Sequence, residues 1–468
     1  MIAFPNGDLL VDPGSFRDPS GHVYEKAGRI FRTVSEKAAE EYDFLRRDGL
    51  LRRFVEDGWI VDSEEVANTG LGEIGAAARY VIEHPRLPFI SYPYEWTFPL
   101  LKAAALFHLD FQVEALARGV TLSDASAYNV QFLGSRPIFI DVLSLRRYRD
   151  GEFWRGHRQF CEQFLNPLLL RAVSGVPHNH WYRGNLEGIG TAELLRLMPV
   201  RKKLRWNALS HLVLPSRLQA AATGRAKPLS VKGRKLPRPA FEAMLRQLRK
   251  WIAGLEPADT GRTVWGKYGA THTYADGEEV AKRAFVAEFV AKTKPAMMLD
   301  LGCNTGQYSE VATGSGADLV VGFDFDQAAL EKAFARSAAK SLNLLPLFLD
   351  AANPSPDQGW NGAERKALHR RARADAVMAL AFEHHLTIAR NIPMGTVVEW
   401  LTGLAPRGII EFVHKSDPTV QRMLALREDI FAHYSEEAFV AALGRNARTV
   451  KVETVTAAGR RLFWYDRT

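Results

Sequence analysis

The chain has 468 residues, which at roughly 100 to 200 residues per domain predicts two to four domains, and its 47% hydrophobic and 24% charged residues exclude wholesale disorder and a fibrous rod. No stretch reaches the roughly 18 uninterrupted apolar residues of a membrane span, Met1 to Gly14 lacks the pattern of a signal peptide, and the only cysteines, Cys161 and Cys303, stand far apart, so a cytoplasmic, reducing location is expected. The net charge of +8 is local: Arg201 to Lys250 holds 14 basic residues against Glu242 alone, giving +13 there and −5 elsewhere.

In chain order, His22 to Tyr24 and Arg29 to Val34 read as a β-hairpin, and Glu40 and Glu41 lie on a following helix. PFISYPYEWTF at 88 to 98 reads as a connection between two lobes, and FHLDFQVEALARG as a helix. Then come LSDASAYN at 122 to 129 and PIFIDVL at 137 to 143. Asp124, Asn129 and Asp141 stand in the order of catalytic aspartate, metal-binding asparagine and metal-binding aspartate, and the N-terminal half so resembles protein kinases and aminoglycoside phosphotransferases. The resemblance implies Mg-ATP held by Asn129 and Asp141, with Asp124 orienting an acceptor hydroxyl. Several parts depart from that pattern: no glycine-rich phosphate loop is present, Arg32 stands where a strand lysine is expected, Leu122 replaces a histidine, and no glycine follows Asp141. Residues 1–215 are therefore expected to form a degenerate kinase-like α+β domain that recognises substrate, with active phosphotransfer the alternative. An unrelated α+β domain whose Asp and Asn are turn residues is a further alternative.

Residues 216–254 read as a Pro- and Gly-bearing basic linker followed by a basic helix. A solvated linker is the simplest reading; an anionic partner such as a phosphorylated glycan, lipid headgroup or RNA is the other. Only Trp206 and Trp251 flank the run, without a ladder of stacking aromatics, so nucleic acid is not expected.

The third segment, 255–468, carries the densest pattern. Met297 to Leu301 is an apolar run suited to a buried parallel strand, and it leads directly into GCNTGQYSEVA, a glycine-bearing turn and a helix. Further strands are expected at Leu319 to Phe323, Leu344 to Leu349, Ala374 to Ala381 and Gly408 to Val413. They end in Asp324, Asp350, Glu383-His384-His385 and His414-Lys415. Polar residues gathered at successive strand ends describe an open, doubly wound α/β sheet with its ligand in the crevice above them.

With LDLGCNTG at 299 to 306, this half resembles the class I S-adenosylmethionine-dependent methyltransferases, and the wording around it resembles a nodulation-associated bacterial branch. The resemblance implies that Asp300, Gly302, Asn304 and Gly306 border the methionine part of the cofactor, that Asp324 holds the ribose, with Asp326 as competitor, and that Asp350 lies near the adenine. The rival, an NAD-binding domain, is disfavoured by the Gly302, three residues, Gly306 spacing and by Asp300 at that place. The expected activity is O-methylation of a small molecule or glycan, with a bifunctional kinase and methyltransferase, an RNA methyltransferase and a non-catalytic cofactor-binding scaffold as alternatives.

A hydroxyl acceptor needs a proton acceptor, and the fourth strand end is where one would project. His384 and His385 are the candidates, with at most one expected to face the pocket; Glu411 and His414 come next. The same Glu383, His384, His385 and His414 would otherwise gather a divalent metal, as small-RNA 2′-O-methyltransferases do. Asn353-Pro354 reads as a turn.

Overall fold

The computed structural model describes residues 9–217, 235–259, 276–425 and 427–468. Most of the linker and residues 260–275 fall outside them. The N-terminal half opens on a five-stranded antiparallel sheet of order β1-β2-β3-β5-β4, made of β1 (Leu9–Val11), β2 (Val23–Lys26), β3 (Arg29–Val34), β4 (Glu64–Val66) and β5 (Tyr80–His84). The expected hairpin is β2 and β3, in register from Val23 opposite Arg32 to Lys26 opposite Arg29. Helices α1 (Glu36–Arg47) and α2 (Leu50–Glu56) follow β3.

Beyond a connection at 85–97 runs α3 (Phe98–Ala117), apolar around most of its circumference and buried accordingly at Leu100, Leu101, Ala104, Ala105, Leu109 and Phe111. Two short antiparallel ribbons come next, pairing β6 (Val120–Leu122) with β9 (Leu145–Arg147) and β7 (Val130–Leu133) with β8 (Arg136–Phe139). Helices α4 (Asn166–Ser174), α5 (Thr191–Leu197) and α6 (Val200–Lys203) lead toward the linker. The expected basic helix is α7 (Arg238–Ala253), whose Phe241, Leu245, Leu248 and Ile252 are buried at steps of four, three and four. That spacing makes one apolar face. The face packs on α3, and Arg249 at its edge bonds Asp110 of α3.

The C-terminal half is a seven-stranded sheet flanked by helices. Its strands are β10 (Met297–Leu301), β11 (Leu319–Asp324), β12 (Leu344–Phe348), β13 (Ala376–Ala379), β14 (Arg407–Phe412), β15 (Arg448–Thr454) and β16 (Arg461–Asp466), in the order β12-β11-β10-β13-β14-β16-β15. The first five are mutually parallel, and β16 lies antiparallel to both β14 and β15. Every residue of β10 is buried, as a strand covered on both faces requires. A dinucleotide-binding sheet continues the order 3-2-1-4-5 with a sixth parallel strand. Here an antiparallel seventh strand is inserted between fifth and sixth, which separates this sheet from the NAD-binding rival.

Five of these strands match the sequence reading within a few residues. The strand expected at Ala374 to Ala381 is shorter because Asp375 turns its carboxylate onto the Met297 N–H and Ala381 adopts a φ of 49°, outside strand geometry. Main helices are α8 (Asp276–Thr293), α9 (Gln307–Gly314), α10 (Gln327–Lys340), α11 (Met394–Leu404), α12 (Pro418–Leu424) and α13 (Glu436–Asn446).

The two halves do not hang apart on a linker. They contribute to one apolar core, in which Phe89 meets Phe323 at 6.1 Å between ring centroids. Arg371 forms an ion pair with Glu95, both side chains about 5% exposed or less, and donates to the Ile90 carbonyl at 2.6 Å. Arg171 of α4, 2% exposed, pairs with Glu331 at 2.7 Å and with Asp259 at 3.1 Å and donates to Gln327 at 3.2 Å. Arg183 donates to the carbonyls of Asn353 and Pro354, so Asn353-Pro354 is a structural turn that anchors the halves together.

Candidate functional site

The turn after β10 is built by backbone geometry that the sequence supplies at three positions. Gly302, Asn304 and Gly306 have φ of 77°, 49° and 75°, values that glycine takes freely and asparagine tolerates. A Cβ on Gly302 would come within 3.0 Å of the Phe382 ring. The turn is fixed from beneath by the Phe323 carbonyl, which accepts from the N–H groups of Gly302 and Cys303 at 2.8 and 3.0 Å.

Around this turn opens a cavity of about 810 Å³ at the carboxyl ends of the parallel strands, lined by Asp300, Gly302, Asn304, Asp324, Asp326, Asp350, His384 and His385 among others. Its volume is that of a small-molecule site. Asp324, at the end of β11, accepts from the N–H groups of Asn304 and Asp326, both at 2.9 Å. Asp326 is engaged otherwise: its carboxylate caps α10 by accepting from Ala328 and Ala329. Both acids line the cavity, Asp324 at the end of its strand and Asp326 at the head of α10. Asp350 supports its own turn through the Ala352 N–H and lies 3.6 Å from Arg390. Asp300 is 2% exposed and accepts from the Ser309 hydroxyl at 2.5 Å. Burial pushes its carboxyl up to about 7.

The two histidines correct one expectation. Both line the cavity, with ring centroids 4.3 Å apart, because the chain has left β13 and turned helical at His384, where successive side chains are about 100° apart rather than on opposite faces. His384 is 1% exposed, and neither of its ring nitrogens has a hydrogen-bond partner among the described residues. Burial, then the charges of His385, Arg460 and Lys282, hold it neutral, well below the usual histidine range. His385, half-buried, is lowered to about 4, first by burial and then by Arg460.

The other acids and the last histidine are placed elsewhere. Glu383 is buried and accepts from the Tyr434 hydroxyl at 2.5 Å. Glu411 is fully buried and paired with Lys282 of α8 at 2.5 Å, while also accepting from the Ala381 N–H at 2.8 Å. His414 is exposed and bonds Ser416. Among the described residues no group of three or more such side chains is arranged to hold a metal, so Glu383, His384, His385 and His414 are not gathered into one.

Two cations went unnoticed in the sequence. Lys282 and Arg460 both line the cavity; Arg460, from the β15–β16 hairpin, is held by Asp417 at 2.7 Å and lies 3.9 Å from Glu411.

In the N-terminal half the three singled-out residues do come together. The Asn129 amide donates to Asp124 at 3.2 Å and to Asp141 at 3.5 Å. Asp124 is half-buried, and burial and then the neighbouring Asp141 push its carboxyl up to about 7. Arg32 of β3 reaches the same cluster and pairs with Asp141 at 3.0 Å and with Asp18. Among the described residues no ion pair joins Arg32 to α1; Glu41 of α1 accepts from the Arg147 N–H.

No protein-family profile matches the chain. It is 51% identical over 459 residues, 97% of its own length and 95% of the relative's, to nodulation protein NoeA of Rhizobium meliloti (strain 1021). Among solved structures it is similar to the N-methyltransferase NodS from Bradyrhizobium japonicum WM9 in complex with S-adenosyl-L-homocysteine, at 12% identity and TM-score 0.31 over 40% of this chain and 87% of that one. It is also similar to magnesium protoporphyrin IX methyltransferase (ChlM) from Synechocystis PCC 6803 with bound SAM, at 16% identity and TM-score 0.31 over 45% of this chain and 93% of that one.

Proposed function

The chain belongs to the NoeA family of nodulation proteins, and we propose that it is an S-adenosylmethionine-dependent methyltransferase acting on a hydroxyl of a small molecule or glycan. The observation that carries this reading is the placement of Asp300, the Gly302–Gly306 turn and Asp324 around one cavity at the ends of adjacent parallel strands. The residues suit that cofactor. Asp300 offers a carboxylate to an ammonium group or sulfonium, Gly302 lines the cavity without a side chain, and Asp324 offers a charged acceptor to ribose hydroxyls.

The bound cofactor would supply a methyl group already activated on a sulfonium. What remains for the protein is to align the acceptor and take its proton. His384 suits the second task, since its neutral ring has two unpartnered nitrogens in the cavity wall. Burial first, and then the charges of His385, Arg460 and Lys282, keep that ring neutral before the reaction.

The N-terminal half, residues 1–215, serves in this reading as a degenerate kinase-like recognition domain. Arg32 supports degeneracy, because Asp141 is already paired with it and Mg²⁺ would have to displace that guanidinium. A thermal-shift measurement with Mg-ATP separates this from the bifunctional reading: stabilisation lost in Asp141→Ala would mean a working nucleotide site.

The main test is calorimetric titration of the full chain with S-adenosylmethionine. Asp324→Ala is expected to weaken binding by about 1–3 kcal/mol, and His384→Ala to keep binding while lowering transfer of labelled methyl to an extract-derived acceptor by about 10²–10⁴-fold. Unchanged affinity in Asp324→Ala overturns the ribose assignment.

A further inference from the structure

The stretch from α5 to Leu214 displays its apolar residues in two sets. Leu194, Met198, Ala208 and Leu212 are buried and pin it to the N-terminal half. Leu197, Val200, Leu204, Trp206 and Leu214 are 52 to 70% exposed. Five of the fifteen large apolar side chains exposed among the described residues thus fall within eighteen positions. Val200 and Leu204 share a face, since the Leu204 N–H bonds the Val200 carbonyl at 3.2 Å.

Cations are interleaved with this set. Arg196, Arg201, Lys202 and Arg205 are exposed and Lys203 half-buried, and no ion pair joins any of them to a described residue. Between Glu193 and Glu242 the sequence has no acidic residue and twelve Lys or Arg. The remainder of the chain outside 201–250 is net −5, so an anionic surface attracts this face and repels the rest of the molecule.

We propose that this face docks on an anionic membrane surface, with Leu204 and Trp206 entering the headgroup boundary and the flanking Lys and Arg side chains binding lipid phosphates. Apolar tips combined with cations on a fixed scaffold suit a bilayer interface, where a tryptophan ring sits with one side apolar and one side wet and long cationic side chains reach the headgroups. A free polyanion would be met by the charges alone and gives no account of five exposed apolar side chains. Nothing here depends on the methyltransferase reading; the face is built by other residues than the cavity.

The test is co-sedimentation of the full chain with phosphatidylcholine vesicles with and without phosphatidylglycerol. Binding to the anionic vesicles is expected, falling about tenfold or more in Leu204→Ser/Trp206→Ser and in Arg201→Glu/Lys202→Glu, with the thermal midpoint unchanged because these side chains are exposed. Brominated acyl chains are expected to quench tryptophan emission in the parent and measurably less in Trp206→Phe. Equal binding to both vesicle types, or apolar variants that sediment like the parent, overturns the proposal. So does a parent dimer that the double serine variant converts to monomer, which would make the face a contact with a second copy, or RNA binding that displaces vesicles and ignores Leu204 and Trp206.

Discussion

Asp300 shows how one carboxyl can report the state of the whole cavity. Burial raises it to about 7 against an ordinary value near 4, so the folded protein binds a proton there that the unfolded chain has already released. Between those two values stability falls as pH rises, and the contribution is lost once pH passes about 7. Ligand binding runs the other way. A cofactor bearing an ammonium group and a sulfonium favours the carboxylate, so binding below pH 7 expels the proton. Affinity for S-adenosylmethionine is then expected to rise by up to about tenfold per pH unit toward 7 and to level off above it. Calorimetry at pH 6 and pH 8, in two buffers of different ionisation heat, measures both the slope and the released proton. Asp300→Asn is expected to bind more weakly at pH 8 and to lose most of the slope, and a full slope in that variant would assign the proton to Asp324 instead.

At the scale of elements, the cavity shows why some site residues were legible and others were not. The β10 turn is local: an apolar run that carries Asp300, followed by two glycines four positions apart, is read directly from consecutive residues. Asp324 was legible because β11 follows β10 in the sheet as in the chain. Lys282 and Arg460 had no such signal, since α8 precedes the first strand and the β15–β16 hairpin closes the chain, and only folding places both cations beside Glu411. The hairpin itself was missed because β15 is an edge strand of mixed, largely exposed residues, without the buried alternation that marks a strand. Lys282 is expected to be structurally demanding. Lys282→Met leaves Glu411 fully buried with its charge poorly compensated, at a cost of about 3–5 kcal/mol in urea unfolding, and loosens the Ala381 backbone that Glu411 holds. Adding Glu411→Gln is expected to recover much of that loss, because no charge is then stranded.

At the scale of the molecule, a basic linker between two halves suggests two independent bodies, yet the contacts across the halves reach the cofactor turn itself. Phe89 covers Phe323, whose carbonyl holds Gly302 and Cys303; Gln327, at the start of α10, donates to Asn179; and Glu95 neutralises Arg371. None of this was legible, because ion pairs and ring contacts between residues hundreds of positions apart leave no periodicity. The full chain is therefore expected to unfold in one cooperative transition that S-adenosylmethionine shifts as a whole. Arg371→Ala is expected to lower that transition by about 3–5 kcal/mol, leaving Glu95 charged and buried, while Arg371→Leu with Glu95→Leu costs less because neither charge remains. Residues 255–468 alone would expose Phe323 and the start of α10, so cofactor affinity below that of the full chain is expected, together with aggregation. Two calorimetric transitions in the full chain, with the ligand moving one of them, would show instead that the halves fold independently and that the turn after β10 needs no support from Phe89.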